Sequence, residues 1–329
     1  MFALIVKLKN ILYDEGWFTQ LHAQQPVISI GNISSGGTGK TPCTMMIARL
    51  LNQMNVQASL LSSGYKRTGV GEVIIMQEYS MIADITPEMV GDEVYLHAMS
   101  GLYHTVISNQ PKYKSISSFS TPIIIDDGFQ HRRIARDLDI VLINKKDLHD
   151  RILPFGRLRE PLESLQRAHV IMCPDDTSEV DIRQYMSPDA LFLRIAFHID
   201  IPYFMNKQVV PDSYRKHPIM AVAGIANPQR FFDTLTSNGF TVRHSHWFKD
   251  HFSYTEEHVH ALCTEASKHQ CKAIAITEKD FVKLHSFEYV FTKHEIEVLV
   301  IPIITHILEG KEELQDYLYS ICSQKAINQ

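Results

Sequence analysis

The sequence predicts an α/β fold of two α/β/α domains, of which the first is larger and contains a mostly parallel sheet. Short apolar runs rich in β-branched residues alternate with helical patterns, as is typical of parallel strands covered by helices on both faces. A second, shorter series of the same kind follows residue 212. A chain of 329 residues is long enough for each series to bury its own core. We therefore expect domains at residues 1–204 and 205–329, with a ligand cleft between them.

The individual elements follow from the positions of these patterns. In the first domain, strands are predicted at residues 27–30, 59–62, 73–76, 105–108, 122–125, 138–143 and 170–173, and helices at residues 42–52, 91–99 and 160–167. In the second domain, strands are predicted at residues 219–223, 273–277 and 298–301. A helix at residues 228–237 ends before Gly239, because glycine readily adopts the left-handed conformation that closes helices.

The composition is that of a soluble globular protein, with 45% hydrophobic and 21% charged residues. The formal net charge of −5 gives no sign of nucleic-acid binding. Every apolar run is shorter than the roughly 18 residues that a transmembrane helix requires. Five cysteines without a CxxC pair indicate reduced thiols in a cytoplasmic setting.

Residues 1–12 form an amphipathic helical pattern that allows two interpretations. The helix either packs its apolar face on the core or lies in a membrane interface. The apolar face contains Met1, Leu4, Ile5, Leu8 and Leu12, whereas Lys7 and Asn10 lie opposite.

The segment SSGGTGKT is predicted to be a phosphate-binding loop, because it lies between an apolar strand and a helix. Glycines and the helix start free backbone N–H groups for a phosphate, Lys40 reaches the β- and γ-phosphates, and the Thr41 hydroxyl binds Mg²⁺. Ser34 replaces the usual first glycine, which weakens the match without removing a ligand. A first domain of the P-loop NTPase type and a smaller Rossmann-like second domain are therefore expected. The expected nucleotide-binding residues are Ser34, Ser35, Gly36, Gly37, Thr38, Gly39, Lys40 and Thr41.

Asp126 and Asp127 follow the apolar run at residues 122–125, where a second metal contact is expected in such a domain. The alternative is a turn capped by aspartates. Residues 144–147 match the NKxD element with which GTPases recognise guanine. The acidic motif is DDGF rather than DxxG, however, so we interpret residues 144–147 as a turn after a strand, and guanine recognition stays an alternative.

Further acidic and histidine residues have both structural and chemical interpretations. Asp92 and Glu93 at a predicted helix start are either helix caps or a base and a metal contact. A zinc site among the histidines near residue 250 lacks a recognised spacing, so one histidine that assists acid–base chemistry is favoured. These histidines are His244, His246, His251, His258 and His260.

Taken together, these motifs resemble those of the tetraacyldisaccharide 4′-kinases of lipid A biosynthesis. The resemblance covers most of the chain and includes PVISIGNISSGGTGKTP, VGDE, IIIDDGFQHRRIARDLDIVLI, ILPFGRLREPL, VAGIANPQRFF, FKDHFSYT and ITEKDFVKL. It implies transfer of the γ-phosphate of ATP, with Mg²⁺, to the 4′-hydroxyl of an acylated glucosamine disaccharide 1-phosphate. The resemblance also implies that the enzyme acts at the cytoplasmic face of the bacterial inner membrane and that its N-terminal helix docks on that membrane.

The resemblance implies roles for individual residues. Asp92 would be the catalytic aspartate that accepts the proton of the sugar hydroxyl, with His251 as its partner and Lys40 on the phosphates. The implied metal ligands are Thr41, Glu93, Asp126 and Asp127, and the implied substrate-binding residues are Tyr65, Gln130, His131, Arg159 and Glu160.

The sequence also departs from the family pattern. The usual SRGY is SSGY here, so an arginine is missing at Ser63, and Lys66 or Arg67 is a candidate replacement. Basic residues that commonly follow the GDE helix have no evident counterpart. Two other functions stay open, namely a GTP-hydrolysing switch or metallochaperone and a non-enzymatic, nucleotide-gated membrane adaptor.

Overall fold

A computed structural model describes residues 2–65, 67–76, 85–174 and 176–327 of the chain. The chain divides into a first unit, Met1–Phe197 with Thr305–Gln329, and a second unit, His198–Ile304. The division predicted between residues 204 and 205 differs from this in two ways. It lies later in the chain, and it assigned residues 305–329 to the second domain. No strand or helix was predicted from the sequence at residues 305–329, and local patterns do not show which sheet a segment joins.

The strands form two sheets. The first has the order β14-β8-β7-β6-β1-β5-β2-β4-β3, and the second has the order β11-β10-β12-β13-β9. The strands are β1 (Val27–Asn32), β2 (Ser59–Ser62), β3 (Val73–Met76), β4 (Thr105–Ser108), β5 (Ile123–Asp126), β6 (Leu138–Leu142), β7 (Val170–Pro174), β8 (Leu191–Ile199), β9 (Tyr203–Phe204), β10 (Pro218–Ala223), β11 (Thr241–Trp247), β12 (Ala273–Thr277), β13 (Glu297–Ile301) and β14 (Ile303–Glu309).

The helices include both α-helices and short 3₁₀ helices. The α-helices are α1 (Phe2–Asp14), α2 (Lys40–Gln53), α3 (Pro87–Val90), α4 (Asp92–Met99), α5 (Glu179–Arg183), α6 (Pro228–Ser237), α7 (Glu256–Lys268), α8 (Glu278–Leu284), α9 (Glu288–Lys293) and α10 (Lys311–Ile327). The 3₁₀ helices are Lys112–Ser118, Lys145–His149, Leu162–Arg167, Asp212–Lys216 and His285–Phe287.

Every strand predicted from the sequence is present, with bounds that differ by at most a few residues. The helix predicted at residues 160–167 is a 3₁₀ helix that begins only at Leu162, because Pro161 precedes it in an extended conformation. Strands β8, β9 and β14 were not predicted, and neither was β11. Its side chains alternate between exposed and half-buried at the edge of the second sheet, so the sequence TVRHSHW contains no apolar run.

Parallel pairing positions the loops that carry the sequence motifs. Strand β1 pairs in parallel with both β5 and β6, and β5 also pairs in parallel with β2. The carboxyl ends of these strands consequently meet at one edge of the sheet, which is where ligands bind in open α/β sheets. The strands are buried along their whole length, and Ile28, Ile124 and Ile140 are fully inaccessible to solvent.

Helix α1 is attached to the first unit by polar residues, and its apolar residues are exposed. Arg132 donates to the Asn10 carbonyl at 2.9 Å and to the Asp14 carboxylate at 2.6 Å. Leu4 is 71% exposed and Leu8 55% exposed, and within its described residues α1 buries no side chain. The core-packing interpretation therefore does not fit this helix. Among the described residues, none of the helices is long and apolar enough to cross a membrane.

Candidate functional site

The predicted phosphate-binding loop lies between β1 and α2, as expected. Gly36 and Gly39 have φ angles of 111° and 95°, which side chains rarely tolerate. A Cβ atom on Gly39 would lie 2.4 Å from the ring of Phe197, so this position also requires glycine for lack of space. Helix α2 begins at Lys40, and its first turn therefore directs free N–H groups into the loop.

Contacts from neighbouring segments hold the loop in place. The Ser35 backbone N–H donates to the Arg157 carbonyl at 2.8 Å. The side-chain amide of Asn32 donates to the Thr38 hydroxyl at 2.8 Å, and Lys40 donates to the other side of that amide at 3.3 Å. Sequence reasoning assigned no role to Asn32, the last residue of β1, although Asn32 lies within the segment PVISIGNISSGGTGKTP. The Ser34 hydroxyl is buried and has no hydrogen-bond partner among the described residues.

Asp127 is surrounded by positive charge. Arg159 donates to its two carboxylate oxygens at 2.9 and 2.7 Å, and the Lys40 ammonium lies 3.6 Å away. Burial alone would raise the pKa of Asp127, but the Arg159 hydrogen bonds and the charge of Lys40 hold that pKa well below its usual value. Its φ angle of 50° directs the carboxylate away from the line of β5. Asp127 is therefore ionised throughout the physiological pH range.

Asp126 has the opposite electrostatic environment. Its side chain is buried, and the Thr44 and Ser62 hydroxyls each lie 3.5 Å from one of its oxygens. Burial and the nearby carboxylate of Glu93 raise the pKa of Asp126 to about 6. Glu93 lies in the first turn of α4. The predicted metal ligands Asp126 and Glu93 thus destabilise each other as anions, which a cation bound between them would relieve.

These residues fit a magnesium ion bound together with a nucleotide. Within the described part of the chain, no cluster of three or more His, Cys, Asp or Glu side chains could hold a metal ion. Mg²⁺ typically needs only one or two carboxylates, because water and phosphate oxygens complete its coordination. Thr41 at the start of α2, Asp126 and Glu93 would supply the protein ligands. Asp127 is the weaker candidate, because Arg159 and Lys40 already neutralise it.

Lys112 is a buried residue of the site that sequence reasoning did not identify. Its ammonium donates to the carbonyl oxygens of Asp126 and Asp127, at 3.0 Å to the latter, and only 1% of the residue is exposed. Burial lowers the pKa of Lys112. One signal pointed to it, since the family pattern has basic residues after the GDE helix. Lys112 occupies the following 3₁₀ helix and fixes the end of β5.

The structure brings together three of the predicted substrate-binding residues. The side-chain amide of Gln130 donates to the Asn32 carbonyl at 2.9 Å and to Glu160 at 3.1 Å, and the Arg159 guanidinium also donates to the Asn32 carbonyl at 3.2 Å. His131 is largely buried, and burial together with the charge of Lys112 lowers its pKa to about 3, so it is neutral. Tyr65 differs from these residues because it is 63% exposed.

Gly91 fixes the position at which Asp92 begins α4. Its φ angle is 96°, and a Cβ atom there would lie 3.0 Å from the backbone of Gly64. Arg67 joins the same region, because it donates to the Ser108 carbonyl at 2.6 Å and to the Gly71 carbonyl at 2.5 Å. The Arg67 guanidinium is therefore already hydrogen-bonded within the protein, which disfavours Arg67 as the replacement for the missing arginine. Lys66, the other candidate, lies outside the described residues.

Residues 144–147 form a capped turn, as the sequence favoured. Asn144 and Asp147 make reciprocal hydrogen bonds at the start of a 3₁₀ helix, and the Asp147 carboxylate accepts from the Asn144 N–H at 2.9 Å. Asp147 is 1% exposed. A GTPase needs this carboxylate to bind guanine, and here it is already engaged by the backbone.

In the second unit, His251 lies in the loop that follows β11. Its φ angle is 60°, and its Nε2 lies 3.8 Å from the Asp250 carboxylate. The other histidines of this region are engaged elsewhere: His244 and His246 each contact Glu265, at 2.6 and 2.9 Å. Asp127 and His251, both predicted site residues, are among the non-glycine residues with a positive φ.

The family model of LpxK, the tetraacyldisaccharide-1-P 4′-kinases, matches residues 1–323. The chain belongs to this family. The tetraacyldisaccharide 4′-kinase of Desulfotalea psychrophila is 35% identical over 87% of this chain and 86% of the relative. The enzyme of the same name from Aquifex aeolicus is 32% identical over 98% of this chain and 96% of its own.

A solved structure resembles the whole chain. The crystal structure of LpxK from Aquifex aeolicus in complex with ATP has a TM-score of 0.77 and 29% identity, and covers 98% of this chain and 96% of that chain. The predicted family and α/β fold class are confirmed. LpxK membership makes this chain a kinase of lipid A biosynthesis.

Burial and the charge of Glu93 destabilise the ionised carboxylate of Asp126. A variant without that charge should therefore be more stable than the wild type. A carboxylate whose folded pKa is raised from 3.8 to about 6 stabilises the protein fully below pH 3.8, and that stability is lost as the pH rises through about 6. Without Mg²⁺ and nucleotide, Asp126→Asn should increase the free energy of unfolding by about 1–3 kcal/mol at neutral pH and by much less near the unfolded pKa. Urea titration at the two pH values measures this difference.

The matched control for this experiment is Asp316→Asn, which changes an exposed carboxylate on α10. That variant should have the stability of the wild type at both pH values. An Asp126→Asn protein that is no more stable than the wild type at neutral pH would contradict the raised pKa.

Proposed function

We propose that this LpxK family member transfers the γ-phosphate of ATP to the 4′-hydroxyl of an acylated glucosamine disaccharide 1-phosphate. The observation that carries the proposal is the meeting of two motifs at one sheet edge, where the phosphate loop after β1 lies beside Asp126 and Asp127 at the end of β5. The names of the relatives supply the acceptor, and the ATP complex of the Aquifex aeolicus enzyme supplies the donor.

The residues of the first unit would bind and orient the phosphates. Backbone N–H groups of the loop and of the first turn of α2 would surround the β-phosphate, and the Lys40 ammonium lies 3.6 Å from Asp127. A bound γ-phosphate competes with Asp127 for Lys40, which then helps to neutralise the charge of the transferring group. Bound magnesium, held by Thr41, Asp126 and Glu93, would supply further positive charge to the phosphate oxygens.

Asp92 is the proposed general base. It is the first residue of α4, where the helix dipole stabilises an anion and therefore keeps the carboxylate available to accept a proton. His251 would orient this carboxylate while the sugar hydroxyl loses its proton.

Asp92→Ala tests the proposed base directly. Transfer from ATP to the tetraacyldisaccharide should fall by about 10²–10⁴-fold, because general base catalysis contributes that much, while ATP binding is retained. Glu88→Ala is the matched control, since it removes an exposed carboxylate from the preceding helix α3. Turnover near the wild-type rate in the Asp92 variant would remove this residue from the central role.

The two other functions make different predictions in the same assay. A GTP-hydrolysing switch would prefer GTP to ATP and would turn over without lipid. A nucleotide-gated adaptor would transfer no phosphate. The buried, hydrogen-bonded carboxylate of Asp147 supports the ATP-dependent proposal, because guanine recognition by the NKxD element depends on that group.

Helix α1 is proposed to dock the enzyme on the cytoplasmic face of the bacterial inner membrane. Asn10 donates to Glu160 at 2.8 Å and Lys9 to the Gln130 carbonyl at 3.0 Å, so the polar residues of the helix are turned towards the site. The apolar side, with Leu4, Ile5 and Leu8, remains available for acyl chains. This attachment would place the acceptor-binding residues Gln130 and Glu160 beside the membrane surface.

The docking proposal predicts the effect of charges on α1. The double variant Leu4→Glu and Leu8→Glu should bind anionic phospholipid vesicles at least about tenfold more weakly, because two apolar side chains are replaced by carboxylates. Flotation with the vesicles measures binding. Val180→Glu is the control, since Val180 is 81% exposed on α5. Equal flotation of the double variant and the control would contradict docking through α1.

A further inference from the structure

A buried carboxylate joins three segments of the second unit. Asp280 is fully inaccessible to solvent, and each of its oxygens lies 3.1 Å from the Gly224 N–H. The Tyr254 hydroxyl donates to Oδ1 at 2.8 Å and the Thr277 hydroxyl to Oδ2 at 2.7 Å. Gly224 directly follows β10, Tyr254 lies in the segment after β11, and Thr277 is the last residue of β12.

This carboxylate is held by more contacts than a simple helix cap would need. The Asp280 N–H donates back to Thr277 at 3.1 Å, which caps α8 in the ordinary way. The bonds from Gly224 and Tyr254 are additional, and Lys283 lies 3.9 Å from Oδ1. A buried polar group is tolerated only when it is hydrogen-bonded, and these groups satisfy both oxygens of the Asp280 side chain.

Gly224 allows this close approach. A Cβ atom at this position would lie 2.8 Å from Oδ1 of Asp280 and 2.9 Å from the Tyr254 hydroxyl. Any larger residue would therefore push both groups away. The segments VAGIANPQRFF, FKDHFSYT and ITEKDFVKL, which carry the family resemblance in this unit, meet at this one point.

The loop that contains His251 is fixed at both ends. At its start, the Phe248 N–H donates to the Ala223 carbonyl at 2.9 Å. At its end, Tyr254 is bound to Asp280. Between them, the rings of Phe248 and Phe252 stack with centroids 4.3 Å apart, and both rings meet Tyr254 edge to face. His251 lies within this closed loop and has a positive φ angle, which a residue with a side chain adopts at an energetic cost.

We propose that Asp280 is a positioning residue for phosphoryl transfer, which acts through the Tyr254 hydroxyl to hold the backbone of the loop in the conformation that presents His251. The inference rests on the proposed role of His251. Asp280 touches no reacting atom in this account. The bond from Tyr254 fixes the carboxyl end of the loop, and the left-handed conformation at His251 is maintained because both ends are held.

Tyr254→Phe tests this inference, because it removes one hydroxyl and retains the ring and its aromatic contacts. The turnover number should fall about tenfold, while the KM for ATP stays within about twofold of the wild type. The matched control is Tyr214→Phe. Tyr214 also donates its hydroxyl to a carboxylate of the second unit, that of the exposed Glu297, which lies outside the His251 loop. The control should retain the wild-type turnover number.

A double-mutant cycle separates positioning from a general loss of structure. If Tyr254 acts through His251, Tyr254→Phe should cause less than about a twofold further loss in a His251→Ala background. The same comparison with Asp280→Asn tests the carboxylate itself. Circular dichroism and the melting temperature of each variant establish that the second unit is folded.

The outcomes distinguish this inference from the proposal on which it depends. Wild-type turnover in His251→Ala would overturn the role of His251, and the inference with it. Reduced turnover in His251→Ala together with wild-type turnover in Tyr254→Phe would overturn the inference alone. Equal losses from Tyr254→Phe in both backgrounds would also overturn it, because the hydroxyl would then act independently of His251.

Discussion

The opposed environments of two adjacent carboxylates organise this site. Asp126 and Asp127 end the same strand, but one is buried beside Glu93 and the other is bound by Arg159 and Lys40. The Lys112 ammonium donates to both backbone carbonyls and so holds the end of β5 in place. The ionised carboxylate of Asp126 would be stabilised by a bound cation. The carboxylate of Asp127 instead holds Arg159 and Lys40 where they could bind a phosphate. The two carboxylates at the end of β5 therefore have different roles.

Much of this arrangement could be predicted from the sequence, because its parts are local. The apolar run before GGTGKT and the prolines and glycines around it identify β1, the loop and the start of α2. Likewise, three isoleucines before two aspartates identify β5 and its acidic end. The parallel pairing of β1 with β5 then follows from the alternation of strands and helices.

Other features depend on distant contacts and could not be predicted. The sequence assigned no role to Asn32 or Lys112, and only the folded chain shows that they contact Thr38 and the carbonyls of Asp126 and Asp127. The return of β14 and α10 to the first unit is equally non-local. The contact of Arg132 with the polar side of α1 likewise becomes visible only in the folded chain. Each of these features is a tertiary contact without a periodic signal.

The central claim is that the phosphate of ATP is transferred to a sugar hydroxyl of a lipid. The most direct test incubates the purified protein with ATP labelled in the γ-phosphate and with tetraacyldisaccharide 1-phosphate, and separates the lipids by thin-layer chromatography. We expect a labelled lipid whose phosphorus NMR spectrum shows a new phosphomonoester at the 4′-position. Label that appears only in inorganic phosphate, at the same rate with and without the lipid, would contradict the account.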